Sequence, residues 1–289
     1  MNMEKSRRDF IRQSLLGALA LNFGGAAFLN SCSGNHLNEL GLITGVIEKE
    51  LEQDWEKTLR KVAGIGYRYL EFGDFFGSDR DTFLKIMKAI NLKPLAGGTA
   101  LAAMKDQAAF QKMIDEALAL GKQYMVCYWP WMDGGDNKNL DDFKTASDDM
   151  NRLGEICKKS GIRFLMHNHN KEFVPVKGYR WGYEVMLENT DPALVGMELD
   201  LYWITYGGGD PVYLFDKYPH RFEIFHVKDM DKTPERIYTC PGNGIIDFAS
   251  LFARSKDAGV KYYVVEIDEN SEPIQCIENS YNYLMNLKF

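Results

Sequence analysis

The sequence predicts a single (β/α)₈ TIM barrel, on three observations. Between Gly41 and Phe289, apolar strand-like runs alternate eight times with amphipathic helical stretches. Those roughly 250 residues are the length that eight such units need. No Gly-rich phosphate loop follows the first run, as a doubly wound open sheet would show. With 289 residues, 45% of them hydrophobic, the chain can bury a core of this size.

Taken in order, the first unit pairs a strand from Gly41 to Ile47 with a helix from Asp54 to Ile65, where Trp55, Leu59, Val62 and Ala63 recur at helical spacing. Tyr67 to Gly73 precedes the helix Asp79 to Ile90, and Leu92 to Gly98 precedes Gln107 to Leu120. The fourth unit joins Gln123 to Tyr128 with Leu140 to Lys159 through a long loop that opens Trp129-Pro130-Trp131. The fifth strand begins at Arg163, with a helix near Trp181 to Glu188. Leu194 to Leu201 goes with Pro211 to Tyr218, Phe222 to Val227 with Asp247 to Ala258, and Tyr262 to Ile267 with Glu272 to Leu287.

Ahead of the barrel stands an expected export signal, residues 1–31. Ser6-Arg7-Arg8-Asp9-Phe10-Ile11-Arg12 precedes an apolar run broken by Asn22 and Gly24-Gly25, which resembles a twin-arginine leader and is too short to span a bilayer comfortably. Leu29-Asn30-Ser31-Cys32 is similar to a lipobox, so Cys32 is the expected lipidation site and residues 32–40 a tether. The expected location is exported, periplasmic or on the outer surface, touching membrane only through the lipid. Removing residues 1–31 takes away four basic side chains (Lys5, Arg7, Arg8, Arg12) and two acidic ones (Glu4, Asp9), which moves the formal charge from −7 to −9. Such an acidic chain repels polyanions, so no nucleic-acid partner is expected. Cys127, Cys157, Cys240 and Cys276 show no paired spacing, and buried free thiols are expected rather than a disulfide framework.

Barrel enzymes place their chemistry at the C-terminal ends of strands. Here strand five ends in His167 and His169, strand six in Glu198 and Asp200, strand seven in His226 and Lys228, and strand eight in Glu266 and Asp268. Each is a same-face pair at period two. Several carboxylates buried together are costly without a cation, and mixed imidazole and carboxylate ligands suit Zn, Mn, Co or Fe. One divalent metal ion is the expected cofactor.

Taken together, His167-Asn168-His169, Glu198-Leu199-Asp200, Gly208-Gly209-Asp210-Pro211, His226-Val227-Lys228-Asp229, Gly242-Asn243-Gly244-Ile245-Ile246-Asp247 and Val265-Glu266 resemble the sugar phosphate isomerase/epimerase family of xylose isomerase-like barrels. The resemblance implies one metal held by strands five to eight, with Asp200, His226 and Glu266 matching three ligand positions. The strand-five position departs from the family's commoner Glu, and His167 is the implied ligand with His169 left for proton transfer, or the reverse. Trp203 stands where some relatives carry a further histidine, which speaks against a multinuclear site.

The implied chemistry is proton abstraction next to a carbonyl of a free or oxidised sugar, through an enediolate, with Glu266, His169 and Lys228 as the catalytic candidates. Isomerisation or epimerisation is the first expectation. Lyase or dehydratase action on a 3-keto sugar needs the same groups, and an idle sugar-binding lipoprotein is the non-enzymatic alternative. Substrate-binding candidates are Glu71, Trp129, Trp131, Glu172, Glu198 and Trp203. For Glu71, a bond across the barrel weighs equally, and Gly242-Asn243-Gly244 is read as a turn with a phosphate-binding role as the alternative.

Overall fold

A computed structural model describes residues 35–131 and 138–289. The signal segment, Cys32 and Met132 to Gly135 lie outside the described residues. Eight parallel strands close into a barrel: β1 (Gly41–Ile43), β2 (Tyr69–Glu71), β3 (Lys93–Ala100), β4 (Tyr124–Trp129), β5 (Arg163–His167), β6 (Val195–Asp200), β7 (Phe222–Val227) and β8 (Tyr262–Val265). Each pairs with its neighbours in sequence, and β8 closes on β1 through Gly41 with Val264 and Leu42 with Val265. The major helices are α1 (Glu48–Ile65), α2 (Arg80–Ala89), α3 (Gln107–Leu120), α4 (Leu140–Ser160), α5 (Gly182–Asn189), α6 (Pro211–Lys217), α7 (Phe248–Ala253) and α8 (Pro273–Asn286).

Local signals explain the boundaries. Asn139 caps α4 through Asp141 N and Asp142 N, and Gly161 ends it in the left-handed conformation. Asp106 and Gly121 do the same for α3, whose expected span matches the observed one. Two starts differ from expectation. The β1 ladder stops at Ile43, and Thr44–Ile47 turns into a 3₁₀ helix that buries Val46 and Ile47, because an apolar run alone does not distinguish strand from buried helix. Helix α1 begins at Glu48 and bends at Asp54, whose side chain accepts from Lys57 N at 3.0 Å; the cap read in the sequence starts the second half of a kinked helix.

Two cores result. Leu95, Val126, Leu165, Ile224 and Val264 fill the barrel, floored by Tyr69, Tyr124 and Tyr262 in edge-to-face contact, while a larger apolar layer packs strands against helices. At Gly98 on β3 a Cβ would lie 1.7 Å from Val126 O, so only glycine lets β3 and β4 approach there. Cys127 and Cys157 are buried free thiols as expected, but Cys240 and Cys276 form a disulfide with Cα atoms 5.6 Å apart. The free-thiol expectation fails for this pair because 36 residues separate two cysteines that the closing of β7 and α8 brings together, and spacing carries no trace of that.

Candidate active site

Strand ends β5 to β8 build the C-terminal rim. In the ladders His167 is opposite Glu198, and Asp200 is opposite His226. A register shift between Met197 and Glu198 precedes both carboxylates of β6, which share the inward face at period two, Glu198 lying one step below Asp200. His167, Asp200, His226 and Glu266 each offer a ligand atom, and these atoms lie within 4.8 Å of one another. Asp200 Oδ1 accepts from Trp203 N at 2.7 Å, while Oδ2 is buried with no hydrogen-bond partner. An orphaned buried carboxylate oxygen is costly unless something positive meets it, so this donor set fits a divalent cation.

A second layer supports the first. Glu198 Oε2 is 3.2 Å from His167 Nδ1, and its Oε1 lies 3.2 Å from His226 Nε2 without hydrogen-bond alignment. Glu71 Oε2 is 3.3 Å from the same Nε2, and its Oε1 accepts from Tyr128 OH at 2.5 Å. On the far side, His226 Nδ1 meets Glu266 Oε2 at 2.5 Å, and Lys228 Nζ lies 3.4 Å from Glu266 and 2.7 Å from Asp268.

Glu71, Glu198 and Asp200 are buried, with Glu266 at their edge; Lys228 is the cation paired with Glu266, and the buried Lys122, which donates to Phe72 O, acts on Glu71 from behind. Without a metal, protons make up the deficit. Burial, helped by the charge of Glu266, raises Asp200 to about 7 against the pull of Lys228. Burial also raises Glu71, with Glu198 adding to it. For His226, burial works downward, but Glu198, Glu71 and Glu266 outweigh it and push the imidazole well above its ordinary range. His169 goes the other way: burial, then the neighbouring His167, lower it to about 2, so its imidazole is neutral at any ordinary pH.

The cavity over this centre, about 370 Å³, is lined on one side by His167, His169, His226, Glu266 and Asp268 and on the other by Ile43, Thr44, Gly45, Phe72, Gly73, Gly98, Tyr128 and Trp129. Trp129 stacks on His169 with ring centres 3.5 Å apart. The other substrate-binding candidates lie elsewhere. Trp131 packs edge-on against Phe143 of α4 and lines a separate outer cavity with Leu101 and Lys105, because the chain turns outward at Pro130. Glu172 accepts from His169 N at 2.7 Å and closes the 3₁₀ turn Asn170–Phe173. Glu71 and Glu198 face inward beneath the rim, so Glu71 takes the cross-barrel bond. Trp203 lies under Lys228, whose Nζ is 4.9 Å from its ring, and 5.3 Å from His169. Lys228 itself is fully buried. The Gly242-Asn243-Gly244 turn spends the amides of Gly242, Gly244 and Ile246 on the Asp229 carboxylate, leaving none of the three for a phosphate.

Three residues join the site without having been assigned a role from sequence. Tyr128 holds Glu71. Asp268, a strand-end partner of Glu266, reaches the cavity with its side chain 36% exposed. Asn168 bonds the backbone of Asp200 through both side-chain atoms. Its signal was its phase: between two same-face histidines it must point at a neighbouring strand or helix.

Fold and site together define an α/β-barrel of an enzyme superfamily with an imidazole and carboxylate centre at its C-terminal rim. The chain belongs to the xylose isomerase-like TIM-barrel family, whose profile matches residues 59–286. It is similar to an inosose dehydratase of Clostridium perfringens, 23% identical over 255 residues that cover 76% of this chain and 84% of that one. The crystal structure of a sugar phosphate isomerase/epimerase from Parabacteroides distasonis superposes with a TM-score of 0.72 at 28% identity, covering 91% of this chain and 98% of that one. The IolI protein, solved with a bound zinc atom, shares the fold at 18% identity and a TM-score of 0.66, covering 87% of this chain and 99% of that one.

Proposed function

We propose that this protein is a metal-dependent isomerase or epimerase of a free or oxidised sugar that removes a proton next to a carbonyl. The observation that carries the reading is the convergence of His167, Asp200, His226 and Glu266 around an unpartnered Asp200 Oδ2, at the floor of a cavity that a neutral His169 also lines. These four residues would hold the cation, which when bound supplies Lewis acidity that makes the C–H beside a carbonyl more acidic. Glu198 orients His167 through Nδ1, and Asn168 fixes the Asp200 backbone. His169, stacked on Trp129 at the cavity wall, is placed to take the proton as general base, and holding that proton requires bound substrate and cation to offset the burial and the neighbouring His167 that lower it to about 2. Glu266 is the second proton-transfer candidate, its charge held by Lys228 and His226.

Among the described residues no Lys or Arg lines the cavity, and Lys228 is engaged by Glu266 and Asp268, which favours a neutral sugar over a phosphorylated one. Return of the proton to the opposite face gives an epimer, and return to the adjacent carbon gives an isomer. Loss of a β-substituent gives a lyase or dehydratase instead, a second reading supported by the likeness to an inosose dehydratase. NMR in D₂O over free, phosphorylated and 3-keto sugars tests both: deuterium at the α-carbon supports proton abstraction, and an eliminated group identifies the lyase. Absence of exchange across the panel by metal-loaded protein favours an idle binding protein.

Export and anchoring at Cys32 are part of the proposal. The Cys240–Cys276 disulfide supports them, since such bonds persist in oxidising compartments. No described helix is long and apolar enough to cross a membrane.

A further inference from the structure

The two ends of the barrel differ in charge. Helices run back from the C-terminal rim, so their last turns lie at the N-terminal face, and there they carry Lys88, Lys158 and Lys159, together with Lys217, which is paired with Glu184 and Glu188. Lys256, in the last turn of the short helix Ser255–Ala258, adds to the same face, and Lys261, just ahead of β8, is paired there with Glu223. First turns, at the rim, carry Glu48, Asp81 and Asp141, next to a site that is itself acidic. Helix dipoles favour this placement, and the sum is a basic end on an acidic protein.

The chain enters the barrel at that basic end. Asn35 and Phe289 exchange backbone hydrogen bonds of 2.7 and 3.1 Å, and Leu37 and Leu40 are buried just before β1. Cys32 precedes Asn35 by three residues, a reach of at most about 10 Å. The site sits at the other end of strands such as β4, whose six residues span roughly 20 Å.

We infer that the N-terminal face of the barrel is a docking surface for an anionic lipid bilayer, held there by the lipid on Cys32, with the site mouth turned away from the membrane. The inference rests on the anchoring reading and gives it a direction: the substrate arrives from solution, and a glycolipid in the same membrane cannot reach the cavity. Attraction of the lysines to anionic headgroups and repulsion of the acidic rim favour the same orientation.

The test uses the lipidated full-length protein on phosphatidylcholine vesicles containing phosphatidylglycerol and a headgroup-attached quencher. A fluorophore is placed through Lys158→Cys or Lys256→Cys at the N-terminal face, or through Ile237→Cys, half exposed on the loop that follows β7. The remaining thiols, Cys127 and Cys157, are buried. Quenching at 158 and 256 several-fold above that at 237 is expected. Equal quenching, stronger quenching at 237, or none at any position on bound protein overturns the orientation while acylation stands. A wild-type protein that takes up no fatty acid in a lipoprotein-processing host overturns the anchor and the orientation together, and leaves the catalytic reading untouched.

Discussion

Asn168 brackets the backbone of Asp200: its Oδ1 accepts from Asp200 N at 3.0 Å and its Nδ2 donates to Asp200 O at 3.4 Å. One side chain just past the end of β5 thereby sets the height at which β6 delivers its carboxylate. Asn168→Ala should leave that buried backbone pair unsatisfied, and groups that hold a metal ligand in place are typically worth about 10–100-fold in affinity. Metal titration of the folded variant checks this, and wild-type affinity would show that Asp200 needs no such support.

Asp200→Ala and His226→Ala should each lose most bound metal and still fold, because both side chains serve the rim rather than the apolar core. Elemental analysis beside circular dichroism is the measurement. Full occupancy in both variants would remove the metal centre as assigned.

Metal affinity should depend on pH through Asp200. Its carboxyl is raised from 3.8 to about 7 in the metal-free protein, by burial first. Cation binding must displace that proton and the one on His226, whose imidazole is also raised, so apparent affinity should fall at least about tenfold per unit below pH 7 and go on rising above it while His226 is still protonated. The same raised value means that Asp200 contributes stability to the metal-free barrel that is complete below its unfolded pKa and lost as pH rises through 7. Chelated protein should therefore lose stability on this account between acid and neutral pH, and added metal should restore it. Calorimetric titrations on either side of neutrality decide the point.

Lys228 is fully buried between Glu266 and Asp268. Removing one partner of a buried charge cluster leaves the others uncompensated, so Lys228→Met should cost roughly 3–5 kcal/mol in denaturant unfolding. Adding Asp268→Asn should recover part of that loss. Additive or worsening losses would mean that the Lys228 ammonium is not what balances Asp268.

Much of this was legible in the sequence where two periodicities agreed. Helix α3 and strand β7 have their expected bounds, because capping residues and alternating apolar positions mark both ends. Asp200, His226 and Glu266 were visible because polar side chains closing apolar strands announce a rim. What escaped notice depends on packing between distant segments. Glu172 and Trp131 have site-like chemistry but are turned into a local cap and an outer contact by the path of the chain after β5 and β4. The Cys240–Cys276 bond exists only because the barrel closes.

The most direct test of the central claim measures metal content and α-proton exchange in D₂O for His167→Ala and His169→Ala side by side. His167 belongs to the converging group and His169 does not, while both line the cavity. His167→Ala should lose the metal, whereas His169→Ala should keep it and exchange about 10²–10⁴-fold more slowly, the usual worth of a general base. Loss of metal from His169→Ala alone, or wild-type metal and exchange in both variants, would contradict it.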